Sequence, residues 1–157
     1  MKTLFPKTEF HIPKIFAIDA TGKTLGRLAT EVSKLLRGKE NSFFTPGIDQ
    51  GNFVVVLNAK KIIISGKKSL QKKYYRTSQR PGTLKSETFE QLNNRIPIRI
   101  IERAIWGMLP KGVLGRQYYR RLYVYEGNKV LTSTKHHDRQ GHTLENLVDS
   151  TNWIQFK

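Results

Sequence analysis

The chain has no cysteine, which excludes disulfides and thiolate zinc sites and permits, without proving, a reducing compartment. It also lacks any long apolar run. The longest is Phe53-Val54-Val55-Val56-Leu57, far short of the roughly 20 residues that cross a bilayer, so no membrane partner is expected. An unbroken signal core is missing too, because Pro6, Lys7, Glu9, His11, Pro13 and Lys14 interrupt the first residues, and Glu9 and Asp19 sit poorly with a transit peptide. The expectation is a protein made in the compartment where it works. Acidic residues are scarce as well, 12 against 28 lysines and arginines.

That imbalance gives a formal net charge of +16 on 157 residues and an isoelectric point near 10.3, which implies a polyanionic partner. With 38% hydrophobic residues, the chain can bury a core and is not a disordered basic tail.

Ile15-Phe16-Ala17-Ile18 reads as a strand closed by Asp19, Thr21 and Gly22. Leu25, Leu28, Ala29, Val32, Leu35 and Leu36 then recur at three- and four-residue steps, with Arg27, Glu31 and Lys34 on the other face and Gly38 as the stop. Residues 53–57 and Ile62-Ile63-Ile64 are apolar runs without alternation, the pattern of strands buried on both faces. A second helical region starts near Ser86 and resumes after Pro97, where Ile98, Ile101, Ile105 and Met108 share a face. Leu122-Tyr123-Val124-Tyr125 is a last strand before the turn Gly127-Asn128. The expected fold is a single α/β domain with a mostly parallel central sheet of about four strands flanked by helices, with basic loops. Residues 1–14 read as an N-terminal extension, 15–129 as the domain, and 130–157 as a C-terminal extension that docks through Trp153, Ile154 and Phe156.

The cations are not spread evenly. No acidic residue stands between Asp49 and Glu87, yet Lys60, Lys61, Lys67, Lys68, Lys72, Lys73, Arg76, Arg80 and Lys85 do. A block of one sign repels itself unless phosphates or counterions neutralise it. Tyr74 and Tyr75 inside it either stack on bases or anchor the loop. A second acid-free interval, Arg103 to Tyr125, holds Lys111, Arg116, Arg120 and Arg121. Within it, Gly107-Met108-Leu109-Pro110-Lys111-Gly112-Val113-Leu114-Gly115-Arg116 reads as a helix end followed by a turn-rich segment that presents Lys111 and Arg116 to phosphate. Two basic blocks imply a bipartite surface.

Catalytic patterns are missing. Gly66-Lys67-Lys68-Ser69 resembles the end of a phosphate-binding loop, but Lys61 stands where that motif needs its first glycine. His136, His137 and His142 could in principle bind a metal, but no carboxylate sits at ligand spacing on a convincing scaffold and neighbouring histidines are common in loops, so no metal is expected. Asp19, Asp49 and Glu102 are isolated, and no set of nucleophile, base and orienting acid can be assembled. Neither catalysis, a cofactor nor a small-molecule substrate is expected.

The residues do carry a resemblance. Gly107 to Gly112, Leu114-Gly115-Arg116 and Leu122 to Gly127 are similar to the signature of the thirteenth large-subunit ribosomal protein family. So, in order and spacing, are Gly22 to Ala29, Leu35 to Lys39, Thr45-Pro46, Asp49, Gly51, Phe53 to Lys60, Gly66-Lys67-Lys68, Tyr75-Arg76, Pro81-Gly82 and Lys85. The resemblance implies a structural protein seated on large-subunit rRNA beside neighbouring ribosomal proteins, supporting assembly and translation. The rRNA-facing residues it implies are Arg27, Arg37, Lys39, Lys60, Lys67, Lys68, Tyr75, Arg76, Lys85, Lys111 and Arg116; the first two, on or near a helix, are alternatively solubilising charges. The acid-free blocks add Lys61, Lys72, Lys73, Arg80, Arg120 and Arg121 as RNA-binding candidates. The same charges would also serve a free RNA-binding regulator that represses an mRNA. Two departures stand out: the family's Gly-x-x-His-Pro-His element is missing after Gly127, and Trp106 replaces a usual lysine, which exchanges an RNA contact for packing. The run Arg80 to Leu92 resembles the cyanobacterial and plastid branch, which implies a plastid ribosome, with a bacterial cytoplasm or a mitochondrion as alternatives.

Overall fold

The computed structural model describes residues 12–128 and one further strand, Ile154–Phe156. Ile15–Asp19 (β1), Phe53–Leu57 (β2) and Leu122–Val124 (β5) pair in parallel, with β2 in the middle. Ile154–Phe156 (β6) pairs in parallel with the free side of β1, Phe16 opposite Ile154 and Ile18 opposite Phe156, giving the order β5-β2-β1-β6. The C-terminal extension thus reaches the sheet through backbone pairing at Ile154 and Phe156. Trp153, His136, His137 and His142 lie outside the described residues.

Strand β2 is buried along Phe53, Val54, Val55 and Val56, as its unbroken apolarity requires of a strand covered on both faces. Helix α1 (Leu25–Arg37) connects β1 to β2 and turns Leu25, Leu28, Ala29, Val32, Leu35 and Leu36 inward. Helix α4 (Ile98–Met108) packs beside it with Ile100, Ile101 and Ile105 fully buried. These side chains close over Phe16, Ile18, Val54 and Val56 on one face of the sheet. Burial of each large aliphatic group contributes about 1.5–3 kcal/mol. Phe53, Val55 and Tyr123 form a smaller cluster, with Ile15, Leu57 and Tyr125 at its margin. Helix α1 ends at Gly38, whose φ of 72° lets its N–H and that of Lys39 return to the carbonyls of Leu35 and Lys34.

Three corrections follow. Residues 15–128 supply three strands to the sheet rather than four, because Ile62-Ile63-Ile64 is not one of them. Asn58, at φ 57°, turns the chain out of β2 into a 3₁₀ turn, Ala59–Lys61. The next residues are drawn to the start of α1: the Leu25 N–H donates to the Ile63 carbonyl, and the Ile63 N–H to that of Lys23, both at 3.1 Å. Asn58 also donates from Nδ2 to the Asp19 carboxylate at 2.9 Å, tying the ends of β1 and β2 together. That bond, with those from Thr21, holds Asp19 below the usual carboxylate range.

Second, the basic block is not loop throughout. After a short helix, Lys68–Gln71 (α2), it forms an antiparallel hairpin of Lys73–Arg76 (β3) and Lys85–Thr88 (β4). The following helix, α3 (Phe89–Arg95), starts three residues later than Ser86, because Thr88 and Gln91 form a reciprocal capping box. Third, the turn-rich segment after Gly107 is short. Helix α4 runs to Met108, and a new helix, α5 (Val113–Arg120), begins after Gly112.

Gly115 sits inside α5 because any side chain there would run into the Pro110 carbonyl. Gly107 faces open space. Gly115→Ala should therefore lower unfolding stability by about 1–3 kcal/mol, whereas Gly107→Ala in exposed helix should leave it unchanged or raise it by up to about 1 kcal/mol. Urea titration of both variants checks the pair of outcomes.

Candidate nucleic-acid interface

The hairpin carries the sharpest electrostatic feature of the molecule. Its register sets Arg76 directly opposite Lys85, Lys73 opposite Thr88, and Tyr74 opposite Glu87. Like charges facing each other across a ladder are destabilising, and Lys73, Arg76 and Lys85 are all exposed. The hairpin is anchored by Tyr74, which packs against the main core with Lys72 Nζ 5.5 Å and the Arg103 guanidinium 5.8 Å from its ring centre. Burial pushes the Tyr74 phenol up, with Arg103 pulling the other way. Tyr75, its neighbour, points the opposite way and is 57% exposed. The two tyrosines thus divide the alternatives between them: one anchors, the other is free to stack.

Glu87 is the acid that ends the block. It accepts two hydrogen bonds from Arg95 Nη2, at 2.6 and 2.8 Å. Arg95 first, then Arg76 and Arg103, hold its carboxyl below the usual range. The hairpin tip is a compact turn in which Ser78 donates to Thr83 and Thr83 to the Arg80 carbonyl, leaving Arg80 exposed.

Around the hairpin, Lys67, Lys68 and Lys72 are exposed on and beside α2, and Lys60 and Lys61 on the 3₁₀ turn. Arg27 is exposed on the first turn of α1, Arg37 is half-buried in its last turn, and Lys39 is exposed just beyond. Lys111, Arg116 and Arg120 are exposed before and along α5.

Arg121 is different. Its guanidinium makes a bidentate pair with Asp49, both bonds 2.7 Å, and donates a third bond to the Gly51 carbonyl at 2.9 Å. It also lies over the Phe53 ring. Both partners are largely shielded, their side chains 17% and 20% exposed. A guanidinium committed in this way holds the fold and is not offered to phosphate, which corrects the expectation for Arg121. Asp49 is not isolated either.

Arg99 and Arg103 were not among the residues expected from sequence. They stand one helical turn apart on the exposed side of α4, and their four-residue spacing among buried isoleucines was the signal available. Trp106, expected to pack, is 36% exposed; it meets Tyr119 edge-on at 5.1 Å, with Lys111 Nζ 5.7 Å from its ring centre. Among the described residues no helix is long and apolar enough to cross a membrane, and no group of three or more histidines or carboxylates could hold a metal ion.

A parallel α/β core that buries its apolar residues and turns clustered cations outward defines a protein built to lie against a polyanion. Comparison with known proteins agrees with that class. The chain belongs to the family described as Ribosomal protein L13, which it matches over residues 13–131. It is 56% identical over 128 residues to the large ribosomal subunit protein uL13 of a Synechococcus species, covering 82% of this chain and 85% of that one. To the uL13 of Gloeothece citriformis it is 47% identical over 150 residues, covering 96% and 95%. To that of a Prochlorococcus marinus strain it is 55% identical over 126 residues, covering 80% and 88%.

If Arg121 holds the fold, Arg121→Ala and Asp49→Ala should each cost about 2–3 kcal/mol, between the small value of an exposed pair and the larger one of a buried pair. Arg121→Lys should recover little, because an ammonium cannot reproduce the two-pronged bond. The double variant should cost less than the two singles combined, a comparison that denaturant unfolding of the four proteins makes directly.

Proposed function

We propose that this chain is a structural constituent of the large ribosomal subunit, bound to rRNA through its basic hairpin and helix ends, where it supports subunit assembly and translation. The observation that carries the reading is the hairpin register, which sets Arg76 against Lys85 inside an interval without acids; phosphate oxygens between them turn repulsion into attraction. Membership of the ribosomal protein L13 family names the polyanion. The role is one of scaffolding, not catalysis.

The proposed rRNA contacts are Lys60, Lys61, Lys67, Lys68, Lys72, Lys73, Tyr75, Arg76, Arg80 and Lys85 from the first block, Lys111, Arg116 and Arg120 from the second, and Arg27, Arg37 and Lys39 from the ends of α1. Arg121 is left out. The ribosomal-protein domain is taken as residues 15–129, between extensions 1–14 and 130–157, with neighbouring ribosomal proteins as further partners. The cyanobacterial relatives and the likeness of Arg80 to Leu92 to the cyanobacterial and plastid branch support a plastid ribosome as the finer assignment.

The protein should co-sediment with the large subunit after a moderate salt wash; recovery only among free proteins, or crosslinking to a single mRNA hairpin without rRNA, would sink the reading. Replacing Lys67 and Lys68 together by alanine should weaken rRNA-fragment binding and reduce the slope of log affinity against log salt by about 2. An unchanged slope removes both lysines from the phosphate contacts.

A further inference from the structure

Helices α4 and α5 frame an open groove of about 330 Å³ lined by Arg99, Glu102, Arg103, Trp106 and Tyr119. Its composition is unusual for a face that only solvates the protein. An indole and a phenol meet edge to face, their planes inclined at 68°, and three cations stand near them: Arg99 and Arg103 along the wall, and Lys111 over the Trp106 ring. Glu102 lies among them, half-buried between α4 and α5. Burial holds its carboxyl above the usual range against the pull of Arg99, and burial together with Glu102 pushes the Tyr119 phenol up. The groove is continuous with the basic hairpin, because Arg103 lines it and also covers the Tyr74 ring.

We infer that this groove receives one unpaired RNA base carrying an exocyclic amine, stacked against Trp106, with Glu102 accepting the amine and Arg99 and Arg103 taking the adjoining phosphates. The inference rests on the rRNA-bound reading above. Stacking requires an exposed aromatic surface, which Trp106 provides. A carboxylate can accept from the amine of cytosine and has no donor to meet in uracil's carbonyl at the same place. Flanking guanidinium groups suit phosphate. An acidic peptide would meet the same cations but would gain nothing from Glu102, which repels it.

The test uses the full chain with Trp153→Phe, so that Trp106 is the one remaining indole of two. Its emission is followed during titration with short oligocytidine, oligouridine of the same length, and a fully paired RNA hairpin. Oligocytidine should quench Trp106 and bind about fivefold tighter than oligouridine, while the hairpin leaves the emission unchanged. Glu102→Gln should bring the two single strands to equal affinity and keep the quenching. Trp106→Leu, followed by filter binding, should weaken both several-fold without altering the salt slope for an rRNA fragment. Silence of Trp106 toward both single strands overturns the inference, as does equal quenching by the hairpin, an unaltered preference in Glu102→Gln, or quenching by an acidic peptide alone. Filter binding of the rRNA fragment separates the two readings: a steep salt slope beside a silent Trp106 removes the groove and leaves the rRNA-bound reading standing, whereas loss of both removes both.

Discussion

The bidentate pair between Asp49 and Arg121 is the joint on which the arrangement of the domain turns. Asp49 closes the loop that leaves α1, Arg121 is the residue between α5 and β5, and Gly51 is pressed between them with the Leu36 carbonyl and Tyr118 at its back. Two further polar side chains continue the joint. Asn52, fully buried, accepts from the Lys14 N–H and donates to the Leu35 carbonyl; the Tyr118 hydroxyl donates to the Ile48 carbonyl. The C-terminus of one helix, the entry to the central strand and the exit from another helix are thereby tied by polar bonds, beside the Tyr118 ring of the core. In a chain so rich in cations, this is one of the few acids with a structural task, and its partner is a largely shielded arginine.

That economy explains how charge and packing are kept apart. Aliphatic groups close over the sheet from α1 and α4, while exposed cations stand on the hairpin, on α2, on the 3₁₀ turn, before and along α5, and on the outer sides of α1 and α4. Tyr74 and Arg103 connect the two regions: the ring packs against the core, the guanidinium belongs to the surface, and the one lies over the other at 5.8 Å. The hairpin is therefore held in place by one aromatic side chain and by Arg95 on Glu87, rather than by an apolar face of its own.

Legibility of these features in the sequence follows from their periodicity. Helix α1 is plain because its apolar residues repeat at helical spacing and Gly38 ends it; β1, β2 and β5 are plain because their runs are unbroken. Ile62-Ile63-Ile64 has the same composition as a strand, and what diverts it is a backbone event at Asn58 together with free carbonyl and amide groups near Lys23, neither of which a hydrophobic pattern records. The hairpin escapes for the opposite reason: its alternation is Lys, Tyr, Tyr, Arg, with a single inward residue. Helix α5 is hidden by Gly112 and Gly115, the latter present for close approach to Pro110 rather than for a turn. The basic surface was legible as charge asymmetry, but sequence spacing alone could not show that Arg121 faces Asp49 across more than seventy positions of chain.

The strand order has a consequence for synthesis. Strand β1 pairs on one side with β2 and on the other with β6, so Phe16 waits for Ile154. Contacts between such distant positions form late, because the loop between them must close first. The basic hairpin, by contrast, pairs within sixteen residues, Lys73 to Thr88, and is complete long before the sheet has its last strand. As the chain leaves the ribosome that makes it, the hairpin therefore has its pairing partner well before the edge of the sheet is sealed by β6.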